Sequence, residues 1–184
     1  MTALIIVGVI VVLLIIFVIG IYNALIRLRN QVDNSWSQID VQLKRRHDLI
    51  PNLVETAKGY MQHERGTFES ITKARSQAMG AKSVSEAAKA EGALGEALSK
   101  FMLVVENYPD LKANQNFLSV QEELTSTENK ISFARQSYND QVLFFNNKIQ
   151  MFPSNIIAGM FSFGERDFFE LESAAEREVP KVSF

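Results

Sequence analysis

From Ala3 to Ile21 the chain carries nothing but apolar side chains and two glycines, Gly8 and Gly20; the run extends to Ile26 with only Tyr22 and Asn23 as mildly polar additions. At a rise of ~1.5 Å per residue, a helix over this run covers the ~30 Å hydrocarbon core of a bilayer. It has no polar face, so it does not read as the amphipathic helix of a soluble core. A cleavable signal peptide would need a basic leader, an apolar stretch of ~7–15 residues and a small-residue cleavage site. Here no Lys or Arg precedes the run, the run is longer, and no such site follows it. The pattern predicts an uncleaved transmembrane anchor over residues 1–26. Arg27 and Arg29 follow it, with Lys44, Arg45 and Arg46 farther on. Basic residues flanking a span favour the cytoplasmic side, so the N-terminus is expected outside and the remaining chain in the cytoplasm.

Beyond residue 26 the spacing of apolar positions is helical, with no alternating pattern worth naming. From Tyr22 to Ala78 it is close to a heptad. One column reads Tyr22, Arg29, Trp36, Leu43, Ile50, Ala57, Glu64, Ile71, Ala78, and the other Leu25, Val32, Ile39, Arg46, Leu53, Tyr60, Thr67, Ala74. A 3.5-residue period sustained in one phase predicts helix-on-helix packing. Pro51 stands off the seam, and the phase is the same on both sides of it. An interior proline removes one backbone bond and frees the carbonyl four residues earlier, that of His47, without having to end the helix. A bend near residues 47–51 within a nearly continuous helix is expected.

The stretch "MGAKSVSE" (79–86) reads as a loop, with Gly80 closing one helix and Ser83 or Ser85 capping the next. "ENYPDLK" breaks the chain again, with Pro109 at a first helical position. A third long helix follows, with one apolar column (Phe117, Leu124, Ile131, Tyr138, Phe145) and one that is polar for three turns (Gln121, Glu128, Arg135) before Val142 and Ile149. "MFPSN" ends it. The expected fold is all-α: a transmembrane helix continuing into a long-helix, up-and-down bundle of three to four helices. Its bundle covers 27–153, with helices at about 27–79, 84–106 and 110–149. A Phe-rich, partly helical tail covers 154–184. The tail's apolar positions, Phe152, Ile156, Ile157, Met160, Phe161, Phe163, Phe168 and Phe169, must bury against the bundle, another copy, or the membrane surface.

Charge adds little direction: 19 basic and 21 acidic residues give a net charge of −2, no bias toward nucleic acid. With no cysteine and two histidines, disulfides, thiolate metal sites and a Cys nucleophile are excluded and a His-rich metal site is not expected. His47-Asp48 cannot form a dyad on a helix, because adjacent side chains point ~100° apart. His63 lies 16 positions on, ~24 Å along a straight helix, so the two histidines cannot share a metal. "HERGT" (63–67) lacks the second His of a zincin motif, and "GAKS" (80–83) lacks the glycine directly before the P-loop lysine. Lys44-Arg45-Arg46 stands ~27 Å beyond the span if the helix is upright, past the ~8 Å Debye length. No catalytic residue, cofactor or metal is expected. The polar seam positions Arg29, Arg46, Glu64, Gln121, Glu128 and Arg135 are the candidate site. They either fix helix register through salt bridges and amides or line a groove for a partner.

Three blocks, "YNALIRLRNQVDNSWSQIDVQLKRRHDLIPNLVETAKGY" (22–60), "YPDLKANQNFLSVQEELTSTENKISFARQSYNDQV" (108–142) and "FPSNIIAGMF" (152–161), together resemble the successive signature blocks of the LemA family. The resemblance covers nearly the whole chain. It implies a bacterial protein with an N-terminal anchor, a mostly antiparallel helical bundle and an N-terminus outside; it implies no particular reaction. Relatives include proteins of magnetosome membranes. Members are often encoded beside TPM-domain proteins or membrane-bound zinc metalloproteases, which makes these candidate partners. One departure stands out: where the family often has a second Tyr-Asn after Tyr138-Asn139, this chain has Phe145-Asn146. The expectation is a non-enzymatic, single-pass protein of the bacterial inner membrane that self-assembles as a scaffold; the alternative is an adaptor for a membrane enzyme.

Overall fold

The computed structural model describes residues 1–170; the last part of the expected tail, with "VPKVSF", lies outside them. The described residues hold six helices and no strand: α1 (Thr2–Lys58), α2 (Arg65–Met79), α3 (Val84–Val105), α4 (Pro109–Lys112), α5 (Gln115–Gln150) and α6 (Ser154–Met160). The fold is all-α, as the periodicity requires. Two compact units partition the described residues, one of 1–38 with 136–167, the other of 39–135 with 168–170. Both α1 and α5 contribute to each.

In the first unit, α1 begins with a stretch in which every large apolar residue from Leu4 to Phe17 is at least 47% exposed. This is a helix long and apolar enough to cross a membrane, consistent with a membrane protein. Farther along α1 the side chains turn inward: Leu25 and Val32 are buried, as are Tyr138, Val142, Phe145 and Ile149 of α5 and Ile157 and Ala158 of α6. Those of α1 and α5 are seam positions at 3.5-residue spacing, each helix burying its own stripe. Trp36 closes the layer with its ring 5.5 Å from Tyr138.

The second unit contains α2, α3 and α4 with the later half of α1 and the first half of α5. Its core runs from Ile50, Leu53 and Ala57 through Ile71, Ala74 and Ala78 to Leu94, Phe101 and Phe117. Phe101 lies between Phe68 (6.2 Å) and Phe117 (6.4 Å). Each fully buried Ile, Leu or Phe of this core contributes roughly 1.5–3 kcal/mol.

Two expected helices are each divided. The helix expected over 27–79 is α1 and α2, separated at residues 59–64. Leu53, Ala57, Ile71, Ala74 and Ala78 are all buried, so the seam keeps phase across the interruption, and phase alone does not reveal it. Lys58-Gly59 is the stop: a basic last turn followed by glycine. Met61, fully buried, plugs the turn beneath. The helix expected over 110–149 is α4 and α5. Asn114 separates them, its Oδ1 accepting from the backbone N–H of Asn116 (2.9 Å) and Phe117 (3.1 Å), as an N-cap does. Ser83 caps α3 by accepting from Glu86 N–H, while the Glu86 carboxylate accepts from Lys82 N–H, a reciprocal pair close to a capping box.

Helix α1 runs without interruption through Pro51. The carbonyl that proline orphans, that of His47, accepts from Arg75 Nε of α2 at 2.6 Å. The missing backbone bond is thus replaced by a side chain from a neighbouring helix. Arg75→Ala is expected to lower stability by about 1–2 kcal/mol, and by less in a Pro51→Ala background, where a restored backbone N–H at position 51 takes the carbonyl. Thermal unfolding of the four proteins checks this; an equal loss in both backgrounds would contradict it.

Candidate functional site

Inside the second unit an ionised cluster joins three long helices. Arg46, His47 and Glu91 are 4%, 7% and 3% exposed. The Arg46 guanidinium ion-pairs with Glu91 of α3 through Nη2, and with Glu128 of α5 through Nη1 at 2.6 Å. His47 Nε2 lies 2.7 Å from Glu91 Oε1. Arg46 is on a seam column and must point inward. Glu91 sits on the buried stripe of α3, one turn after Ala87 and one before Leu94. A charge in that position must be met by another, because an unpaired buried ion is costly.

Burial, with the positive charges of Arg46 and Arg75, lowers the His47 pKa to about 4; Asp48 and Asp40 oppose the shift more weakly. The ring is therefore neutral at pH 7 and, facing a carboxylate, donates its Nε2 proton to Glu91. Asp48, the sequence neighbour, is exposed and takes no part in that bond. A general base needs a free acceptor within reach of a substrate proton. This histidine is instead shut in between helices, and its bond to Glu91 ties α1 to α3.

The other polar seam positions do not join one site. Glu64 accepts from the Tyr108 hydroxyl at 3.1 Å; burial and that carboxylate raise the Tyr108 pKa. Arg29 stands 5.5 Å over the Phe163 ring in the first unit. Arg135 is half-buried on α5. Gln121 and Glu128 line an open cleft of about 760 Å³ between α3 and α5, floored by Leu53, Leu98, Met102 and Phe117. Of the basic triplet, Lys44 and Arg45 are exposed, and Arg45 is 3.7 Å from Glu123.

The tail divides in the same way. Ile157 and Phe169 are buried, whereas Phe152 (80%), Met160 (69%), Ile156, Phe161 and, less so, Phe168 are exposed. Phe163 is half-buried against Phe145. The segment after α6 is held by its backbone. Asn146 Nδ2 donates to Arg166 O and Asn146 Oδ1 accepts from Arg166 N–H, both at 2.9 Å. The Tyr138 hydroxyl, its pKa raised by burial to about 12, donates to Asp167 O at 2.8 Å. Arg166 also pairs with Asp33 of α1 at 2.8 Å. Asn146→Ala is expected to cost about 1–2 kcal/mol and to speed tryptic cleavage after Arg166. Unchanged cleavage would mean that the clamp does not hold the segment.

The sequence reading missed Glu91 and Asn146. Glu91 was visible in principle as the one acidic residue on the apolar stripe Ala87, Leu94, Ala97, Phe101. Asn146 had no such signal, because its partner is a peptide group.

Residues 35–184 match the model of the LemA family. The chain is 29% identical over 142 residues to Protein LemA of Metamycoplasma hominis, covering 76% of this chain and 64% of that one. It is 22% identical over 184 residues to Magnetosome protein MamQ 2 of Paramagnetospirillum magneticum, covering 86% of this chain and 68% of that one. Magnetosome protein MamQ of Magnetospirillum gryphiswaldense gives 21% over the same shares. The chain thus spans about two thirds of the length of these relatives, and slightly less for the mycoplasma protein. The family match begins at Ser35 and takes in the ionised cluster, the Asn114 cap and the Asn146 clamp together; by that match the chain belongs to the LemA family.

Proposed function

We propose that this protein is a non-enzymatic, single-pass membrane protein that assembles with copies of itself as a scaffold at the bacterial inner membrane. Its N-terminus lies outside and its helical domain in the cytoplasm, as the arginines after the apolar run favour. One observation carries the reading: the buried polar cluster is closed to solvent while several large apolar side chains stand exposed. Arg46, His47 and Glu91 are closed off between helices, whereas Leu103, Phe133 and Phe144 are each more than half exposed outside the apolar run. Such surfaces suit association better than catalysis. Likeness to proteins named for magnetosomes supports a role at a membrane. Size measurement in mild detergent tests the assembly, with a mass of several copies expected; a clean monomer would overturn it.

The open cleft between α3 and α5 favours a second reading, in which this domain is an adaptor for a membrane-bound enzyme such as a metalloprotease, or for a TPM-domain protein. An apolar floor with Glu106 and Lys112 at its rim suits an amphipathic helix of such a partner. Co-purification at fixed stoichiometry, abolished by Met102→Glu, would favour this reading over self-assembly.

A further inference from the structure

Helix α6 and its flanks expose large apolar side chains, with Asn155 and Ser162 the polar exceptions on the outside. Residues 151–163, "MFPSNIIAGMFSF", contain no charged residue. The inner face is accounted for: Ser154, Ile157 and Ala158 are buried in the first unit. The outer face should then be polar, as on any surface helix in water. Instead Met151, Phe152, Ile156, Met160 and Phe161 are between 52% and 80% exposed.

The position of this face indicates what covers it. Tyr22 is the first residue after the uninterrupted apolar run of α1. Its ring lies 4.8 Å from Phe161 and 5.8 Å from Phe163. Two turns farther along α1, Arg29 stands over Phe163. The aromatic group is therefore at the depth where the span leaves the hydrocarbon, the level at which aromatic rings collect. The cation lies on the headgroup side of it. The exposed apolar face is continuous with a surface that lipid already covers.

We propose that residues 151–161 form a second, non-spanning membrane contact, their outer apolar face seated in the lipid interface of the leaflet that α1 leaves. This rests on α1 spanning the bilayer. A second copy is the competing occupant. Lipid is favoured because it surrounds the Tyr22 level at any protein concentration. The contact would hold the first unit against the bilayer by two attachments instead of one.

The cysteine-free chain permits a direct test on residues 1–184 in phosphatidylcholine–phosphatidylglycerol vesicles. Single cysteines are introduced at Met160, Val12 and Ser37, labelled with a small fluorophore, and exposed to lipids carrying nitroxides at shallow or deep acyl positions. Val12 reports the span. Ser37 lies ~22 Å beyond Tyr22 along the helix and reports water. All three side chains are exposed, so the substitutions spare the core. The Met160→Cys label is expected to be quenched by shallow nitroxides severalfold more than the Ser37→Cys label, as for a group buried ~5–10 Å at the headgroup boundary. Quenching equal to that at Ser37, with Val12 quenched, would overturn the contact and leave the span intact. Val12 unquenched would overturn both. Energy transfer between Met160→Cys labels on different copies, without lipid quenching, would assign the face to a second copy and also overturn the proposal.

Discussion

The Glu91→Leu variant is expected to lose about 3–5 kcal/mol of stability, the usual consequence of removing one partner from a buried ion pair. Arg46 would keep Glu128, but that carboxylate is 45% exposed and cannot neutralise a guanidinium that is itself only 5% exposed. His47 Nε2 would lose its acceptor in the same step. For the same reason Glu128→Gln is expected to cost only about 1 kcal/mol or less, as for other solvent-screened pairs. Combining Glu91→Leu with Arg46→Met should recover the part due to the unpaired charge, since an apolar pair of similar volume often replaces a buried ion pair without penalty, and leave the part due to the unpaired His47 Nε2. Thermal unfolding of the full chain in detergent measures all four proteins. A double variant as unstable as Glu91→Leu alone would show that the cluster contributes packing and not charge pairing.

Stability should also fall in mild acid. Unfolded, His47 titrates near 6.5; folded, it does so at about 4. Above pH 6.5 the ring is neutral in both states and has no effect. Between pH 6.5 and 4 the unfolded chain takes up a proton that the folded one refuses, so stability drops as pH falls, and the loss is complete once the folded ring is also protonated. A shift of this size corresponds to about 3 kcal/mol across the window. Other groups add their own slope in acid, so the informative comparison is His47→Gln, which retains a donor for Glu91 but cannot titrate. Its unfolding midpoint should be flatter between pH 6.5 and 4 than that of the parent. Parallel curves would show that His47 is not the group responsible.

Much of the architecture was legible because helices bury stripes and stripes have a period. Leu25, Val32, Ile39, Leu43, Ile50 and Leu53 were read as one seam and all are buried. Ser83 and Pro109 carried local chemistry strong enough to mark helix starts. The break after Lys58 was not read, because columns on either side of a six-residue link happened to stay in phase, and a period cannot distinguish a straight run from two helices. The candidate site was less legible for a related reason. A seam shows that Arg46 points inward, but its partner is 45 positions away on a helix whose register against α1 no local pattern specifies. The same holds for the tail. Its phenylalanines required burial somewhere, yet the residue that fastens it, Asn146, recognises backbone, which every sequence shares.

That last property bears on how the chain tolerates change. A carboxamide that grips the N–H and C=O of residue 166 is blind to the side chains it holds. Substitutions at Glu165, Arg166 or Asp167 can alter what this segment displays, exchanging one surface chemistry for another, while its backbone stays in place. Only proline at 166 would be refused, for want of the N–H. The segment is thus a display position with a fixed mount, open to variation in what it presents and closed to variation in where it lies.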